Sequence, residues 1–194
     1  MIAAVIPTRY RPPELTRLLH VLARDDVQTF VLDSAEYDHR IYAMWNAGVT
    51  LARRIGATEI AILNDDIVIG PGTLPALATA LRSEPDVAIV YPDVNAGRFA
   101  PAELQDTAGT WGAGGMTGFC FLFRADLPLP PFDESYGWWY GDDVFEEAVR
   151  SAGYRVCRVR GIPIGHVANG SASKRWDELG PIIAADRARF EARA

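Results

Sequence analysis

The run Ile60-Ala61-Ile62-Leu63, followed at once by Asn64-Asp65-Asp66 and then by Ile67-Val68, constrains this chain more than any other stretch. A short continuous apolar run closed by polar residues is what a strand buried on both faces looks like, as in a parallel sheet covered by helices. Carboxylates at the carboxyl end of such a strand stand where an open sheet forms its ligand crevice. A hard divalent cation suits paired carboxylates there, and it would bridge protein oxygens to a diphosphate. The competing reading is a polar turn between two strands, for which Asn-Asp-Asp is equally good chemistry.

The rest of the first half repeats this pattern. Ile2 to Ile6 predicts a buried strand stopped by Pro7, and Pro13 to Arg24 a helix with Leu15, Leu18, Leu19 and Leu22 on one face. Thr29 to Leu32 predicts a second strand ending at Asp33, Ile41 to Ile55 a helix, Thr73 to Ser83 another, and Val87 to Tyr91 a further strand. This alternation is that of an α/β domain. Three strands thus end in Pro7-Thr8-Arg9, Asp33-Ser34 and Asn64-Asp65-Asp66, and their polar ends are expected on one rim of the sheet.

The second half has another texture. Asn95 to Gly115 holds glycines and prolines with few periodic apolar positions and reads as an irregular segment or a loop over the site. Gly118 to Phe123 predicts a strand. Phe132 to Asp143 then crowds aromatic rings and carboxylates together, before a helix from Val144 to Ala152, a strand from Arg155 to Val159 and Ile162-Pro163-Ile164-Gly165-His166.

Composition limits the ligands. With 194 residues, 49% of them hydrophobic, the chain can bury one sizeable core. A net charge of −6 argues against a nucleic-acid surface and for a small ligand. Cys120 and Cys157 lack the paired spacing of a zinc or redox site and read as reduced core residues. No apolar run is long enough to span a bilayer and the first strand opens without a basic stretch before it, so the expected location is cytoplasmic.

The ordered series Val5-Ile6-Pro7-Thr8-Arg9-Tyr10-Arg11, Val31-Leu32-Asp33-Ser34, Leu63-Asn64-Asp65-Asp66, Phe132-Asp133-Glu134, Gly141-Asp142-Asp143 and Ala152-Gly153-Tyr154-Arg155-Val156 resembles family 2 glycosyltransferases of the GT-A fold. The likeness runs from residue 2 to about residue 170. It implies a single Rossmann-like nucleotide-diphospho-sugar transferase domain over residues 1–180, with a central, mostly parallel sheet flanked by helices. Residues 181–194 are expected to form a helix that packs on the domain or on a partner, with Ile182, Ile183 and Phe190 on its apolar face.

The resemblance also implies roles. Pro7, Thr8, Arg11 and Asp33 would hold the nucleobase end of the donor, Asn64 and Asp65 would belong to the nucleotide site, with Asn64 on the ribose, and Asp66 would ligate Mn²⁺ or Mg²⁺. Asn64 stands where the family usually has Asp, and an amide still hydrogen-bonds a hydroxyl. Asp142-Asp143 matches the family's acidic pair; Asp143 is the first choice for the base that takes the acceptor's proton and Asp142 the alternative, the other carboxylate serving the helix N-terminus. Trp138, Trp139 and Tyr136 would stand beside the base to stack on an acceptor sugar, with one Trp in that role and one in the core; His166 would be a further metal ligand or, protonated, offset phosphate charge; and Ser171, Ser173, Lys174 and Arg175 would close over the diphosphate or form a solvated connection. The implied reaction is inverting transfer of a sugar from a UDP-, GDP- or dTDP-linked donor to a hydroxyl of a glycan, lipid-linked sugar, small metabolite or protein, with a homodimer supplying one way to complete the acceptor groove. A sugar nucleotidyltransferase and a non-catalytic nucleotide-sugar or glycan-binding module are the alternatives. The Gly-rich basic loop expected of the nucleotidyltransferase after its first strand is missing here.

Overall fold

A computed structural model describes residues 1–9, 13–93, 101–107, 115–166 and 176–193. Arg11, Ser171, Ser173, Lys174 and Arg175 lie outside the described residues. Among the described residues the central sheet has seven strands: β1 (Ile2–Thr8), β2 (Gln28–Asp33), β3 (Glu59–Leu63), β5 (Val87–Asp93), β6 (Glu103–Asp106), β7 (Cys120–Arg124) and β8 (Arg155–Pro163). Their spatial order is β2-β1-β3-β7-β5-β8-β6. β1, β2, β3, β5 and β8 run one way, and only β7 and β6 oppose them. The sheet is therefore mostly parallel, as expected.

Period-two alternation assigns side chains to two cores. Ala3, Val5, Ile60, Ile62, Phe121 and Phe123 face α2 (Ile41–Arg54) and α4 (Gly141–Ser151). Ala4, Ile6, Ala61, Leu63, Cys120 and Leu122 face α1 (Pro13–Arg24) and α3 (Thr73–Ser83). The central strands are apolar on both faces because both are covered, so a continuous run replaces the polar–apolar alternation of a half-exposed strand. Gly48 lets α2 lie directly on β1, since a methyl group there would overlap the Val5 side chain. Under α2, Trp45 meets Tyr42, Phe121 and Phe132 edge-on, at centroid distances of 5.0, 5.6 and 4.9 Å. Such pairs add about 0.5–1.5 kcal/mol each beyond area burial.

Several boundaries differ from expectation. Within Asn95–Gly115, Glu103–Asp106 forms the edge strand β6 antiparallel to β8; it is largely exposed, so it shows no apolar alternation. Arg155 holds that edge, bridging Asp106 at 3.0 Å and also reaching Glu84 and Asp86 on the other side. Helix α4 starts at Gly141, three residues before the expected Val144, because Tyr140 at φ 68° breaks the preceding chain and serves as its N-cap. Asp142 and Asp143 therefore sit inside the first turn. The last helix, α5, spans Trp176–Glu191 and passes through Pro181. It packs on the body through Leu179 and Ile183, with Phe190 stacked on Tyr140 at 5.0 Å. A further two-stranded sheet pairs β4 (Ile67–Val68) with β9 (Gly165–His166), setting Ile67 opposite His166.

Cys120 and Cys157 are both buried free thiols, and burial pushes them up to about 12 and about 11. No helix among the described residues is long and apolar enough to cross a membrane.

Candidate active site

The carboxyl ends of β1, β2 and β3 share one rim, and a cavity of about 260 Å³ opens there. Pro7, Thr8, Asn64, Asp65 and Asp66 form one wall, and Trp138, Trp139 and Asp142 face it from the second half of the chain. His166 joins the first group because the β4–β9 pairing carries it back beside Asp66.

Each residue of the first wall is fixed by short-range geometry. Asp65 accepts the Thr8 hydroxyl at 2.6 Å, which ties the turn after β3 to the end of β1. Burial raises the Asp65 pKa and the neighbouring Asp66 charge adds to this, while the Thr8 hydroxyl and the Arg9 N–H oppose it. The Asn64 N–H donates to the Phe119 carbonyl at 2.8 Å. Phe119 in turn stacks on the His166 ring at 4.2 Å and an interplanar angle of 8°. That stacking aims His166 Nε2 at Asp66 Oδ1, 3.3 Å away.

Asp66 Oδ1 is buried and makes no hydrogen bond. A buried, unsatisfied carboxylate oxygen beside an imidazole nitrogen fits a divalent cation, which takes both donor types. Among the described residues no group of three His, Cys, Asp or Glu side chains surrounds one point. Among the described residues Asp66 and His166 are the two donors this rim brings together.

The opposite wall centres on α4. Asp142 lines the cavity, with its carboxylate packed against Gly118; a side chain at Gly118 would occupy its place. It accepts the N–H groups of Gly118, Asp143 and its own residue. Burial nevertheless raises its pKa, helped by Glu146 one turn on. Asp143 does not line the cavity; burial raises its pKa too, with the Asp142 charge next in importance. Glu146 is itself held by the Met116 N–H at 2.7 Å and by Arg150 at 2.8 Å.

The remaining expectations divide. Trp138 and Trp139 both stand at the cavity, and Trp139 is 37% exposed. Tyr136 is 1% exposed and lies in the core beneath them, with Arg189 over its ring at 5.6 Å, so the aromatic placed in the core is this one and neither Trp. Asp33 caps the 3₁₀ turn Ser34–Tyr37 by accepting the Ala35 N–H at 3.0 Å and is not part of the cavity wall; Ser34 of that turn and His39 just after it are. Asp38 and His39 both have positive φ, 52° and 58°, and the Ser34 hydroxyl lies 3.0 Å from His39 Nδ1. Consecutive left-handed residues without glycine are costly and concentrate at working surfaces.

Tyr42 and Asp186 escape a reading of the sequence. The Tyr42 hydroxyl donates to the Trp138 carbonyl at 3.2 Å and accepts the Gly141 N–H at 2.9 Å. Burial and the Asp142 charge raise its pKa well above the usual phenol value, so it keeps its proton. Asp186 lies on the buried stripe of Leu179, Ile183 and Phe190, at helical spacing; a carboxylate inside an apolar stripe is the signal that could have revealed it.

By sequence the chain matches no protein-family model and no curated protein. By structure it is similar to S. aureus TarS residues 1–349, with a TM-score of 0.58 at 14% identity over 93% of this chain and 64% of that one. It is also similar to the mannosyltransferase PcManGT from Pyrobaculum calidifontis in complex with GDP-Man and Mn²⁺, with a TM-score of 0.56 at 17% identity over 90% of this chain and 59% of that one. A glycosyltransferase involved in glycosylation of the major capsid of PBCV-1 gives a TM-score of 0.54 at 9% identity, over 92% of this chain and 98% of that one. The fold is GT-A. At these identities the likeness concerns architecture, and the chain spans less than two thirds of the first two proteins.

Proposed function

We propose that this protein is a metal-dependent glycosyltransferase that moves a sugar from a nucleoside-diphosphate donor to an acceptor hydroxyl with inversion. The observation that carries this reading is one cavity at the carboxyl rim of the sheet, with Asp66 and His166 on one side and Asp142 on the other. The structural likeness to a protein held with GDP-Man and Mn²⁺ supports the same donor class.

Asp66 and His166 would hold Mn²⁺ or Mg²⁺, which when bound offsets the charge of the departing diphosphate. Pro7, Thr8, Asn64 and Asp65 would receive the nucleoside, and Trp138 and Trp139 would offer flat apolar faces to an acceptor sugar. Asp142 is the base this geometry favours over Asp143, because it alone of the two faces the cavity. It takes the hydroxyl proton of the acceptor as that oxygen bonds to the anomeric carbon. The bond from that carbon to the diphosphate breaks on the opposite face, and the electron pair leaves with the diphosphate.

The test is thermal unfolding against UDP, GDP, dTDP and their sugars, each with Mn²⁺, Mg²⁺ or chelator. A ligand of the native state stabilises it by mass action, by about 2.7 kcal/mol at a hundredfold excess over Kd, and so raises the midpoint. A metal-dependent rise with one base, absent in Asp66→Ala, is the expected result. No rise with any nucleotide would refute the reading, and a rise without turnover against every acceptor class would leave a binding module.

A further inference from the structure

Gly137, Trp138 and Trp139 belong to neither strand nor helix, yet their three N–H groups converge on a single carboxylate from another element. Asp186 Oδ1 accepts from Gly137 at 2.9 Å, and Oδ2 accepts from Trp138 at 2.8 Å and Trp139 at 3.0 Å. Asp186 is 2% exposed. A carboxyl group so buried needs hydrogen-bond partners of this kind, and Arg189 stands 3.8 Å from Oδ1 while donating to the Ser135 carbonyl at 2.5 Å.

Packing alone does not call for this carboxylate. An apolar residue at position 186 would complete the buried stripe of α5, and the hydrogen bonds that Asp186 accepts come from the backbone of the cavity wall. Gly137 brings that backbone so close to α5 that a methyl group there would meet Ile182. Trp139, 37% exposed, meets Tyr140 edge-on at 6.3 Å, and where its ring stands follows from where its backbone is held. From the other side Tyr42 engages the Trp138 carbonyl and the Gly141 N–H.

We propose that Asp186 is a positioning residue for the Trp138–Trp139 wall, through which the C-terminal helix sets the geometry of the acceptor side. This rests on reading the cavity as a glycosyltransferase site with those two rings toward the acceptor. Asp186 touches no reacting atom; it acts through three backbone amides.

Hydrogen exchange tests it without any acceptor. In the wild type, the amides of Gly137, Trp138 and Trp139 should exchange as slowly as strand amides, despite lying in a loop. Asp186→Asn keeps the shape and leaves one carbonyl for three donors; exchange at these positions should rise at least tenfold while β1 and β3 keep their rates. The midpoint rise given by UDP, GDP or dTDP with Mn²⁺ should match the wild type, and with methyl glycosides as acceptor probes the acceptor KM should rise at least tenfold with donor KM unchanged. Unprotected amides in the wild type would overturn the proposal with no variant needed. So would unchanged exchange in Asp186→Asn, or loosening spread evenly over the sheet, which marks a purely structural loss. Absence of any nucleotide effect in the wild type would count against the donor reading, and the exchange comparison would still judge Asp186.

Discussion

The two walls of the cavity are built by different means. On the Asp65–Asp66 side, each polar group follows directly from a strand end, and the sheet register places it. On the Trp138–Asp142 side, an irregular segment is pinned by side chains from far along the chain: Asn46 brackets Phe132 and Glu134, Tyr42 holds Trp138 and Gly141, and Asp186 holds residues 137–139. The first wall inherits the rigidity of β pairing; the second is only as firm as a few hydrogen bonds.

Asp142→Asn should separate the walls most sharply. Turnover should fall by about a hundred- to ten-thousand-fold, the usual worth of a general base, while the nucleotide-dependent midpoint rise stays. Equal loss of both in calorimetry and turnover assays would show that the walls are not independent. Glycine replacements come next. Gly48→Ala forces α2 off Val5 and Gly141→Ala forces α4 off the Tyr42 ring; each should cost about 1–3 kcal/mol in denaturant unfolding. Only Gly141→Ala should also impair turnover out of proportion, because it displaces the turn that carries Asp142. Asn46→Ala strips the Phe132 N–H and carbonyl of their partner and should cost about 1–3 kcal/mol, without changing nucleotide affinity.

The smallest effect is on pH dependence. Asp142 and Asp143 have folded-state pKa values raised, chiefly by burial, so the folded protein holds these protons more tightly than the unfolded chain. The contribution of these two groups to stability should therefore be greatest below the ordinary carboxylate range and fall as pH climbs through the raised values, with no further loss beyond them, while the lowered Asp106, Asp126 and Asp133 act in the opposite sense in acid. Activity should rise across the same window as the base ionises. Urea midpoints from pH 4 to 9 check the first claim, and Asp143→Asn should flatten that slope.

The same division decides what could be read from the sequence. Strands buried on both faces announce themselves as apolar runs, so β1, β3 and their polar ends were legible, and with them Thr8, Asp65 and Asp66. The acidic pair was legible too, but its order was not, because which carboxylate turns to the cavity depends on where α4 begins, and Tyr140 sets that through a positive φ no pattern shows. β6 and β9 were invisible: one is exposed along its length and the other is two residues long. Asp186 was not singled out, because its partners are backbone amides about fifty positions away and only its place in the apolar stripe of α5 hints at them.

The two-residue pairing of β4 with β9 has a consequence in time as well as space. It joins Asp66 to His166, residues whose numbers differ by one hundred, through one short antiparallel contact. During synthesis the amino-terminal strands can pair long before His166 leaves the ribosome, so a nascent chain displays the carboxylates without their imidazole partner. In the proposed site, a cation could therefore meet both ligands only after residue 166 has been made and the β4–β9 contact has closed.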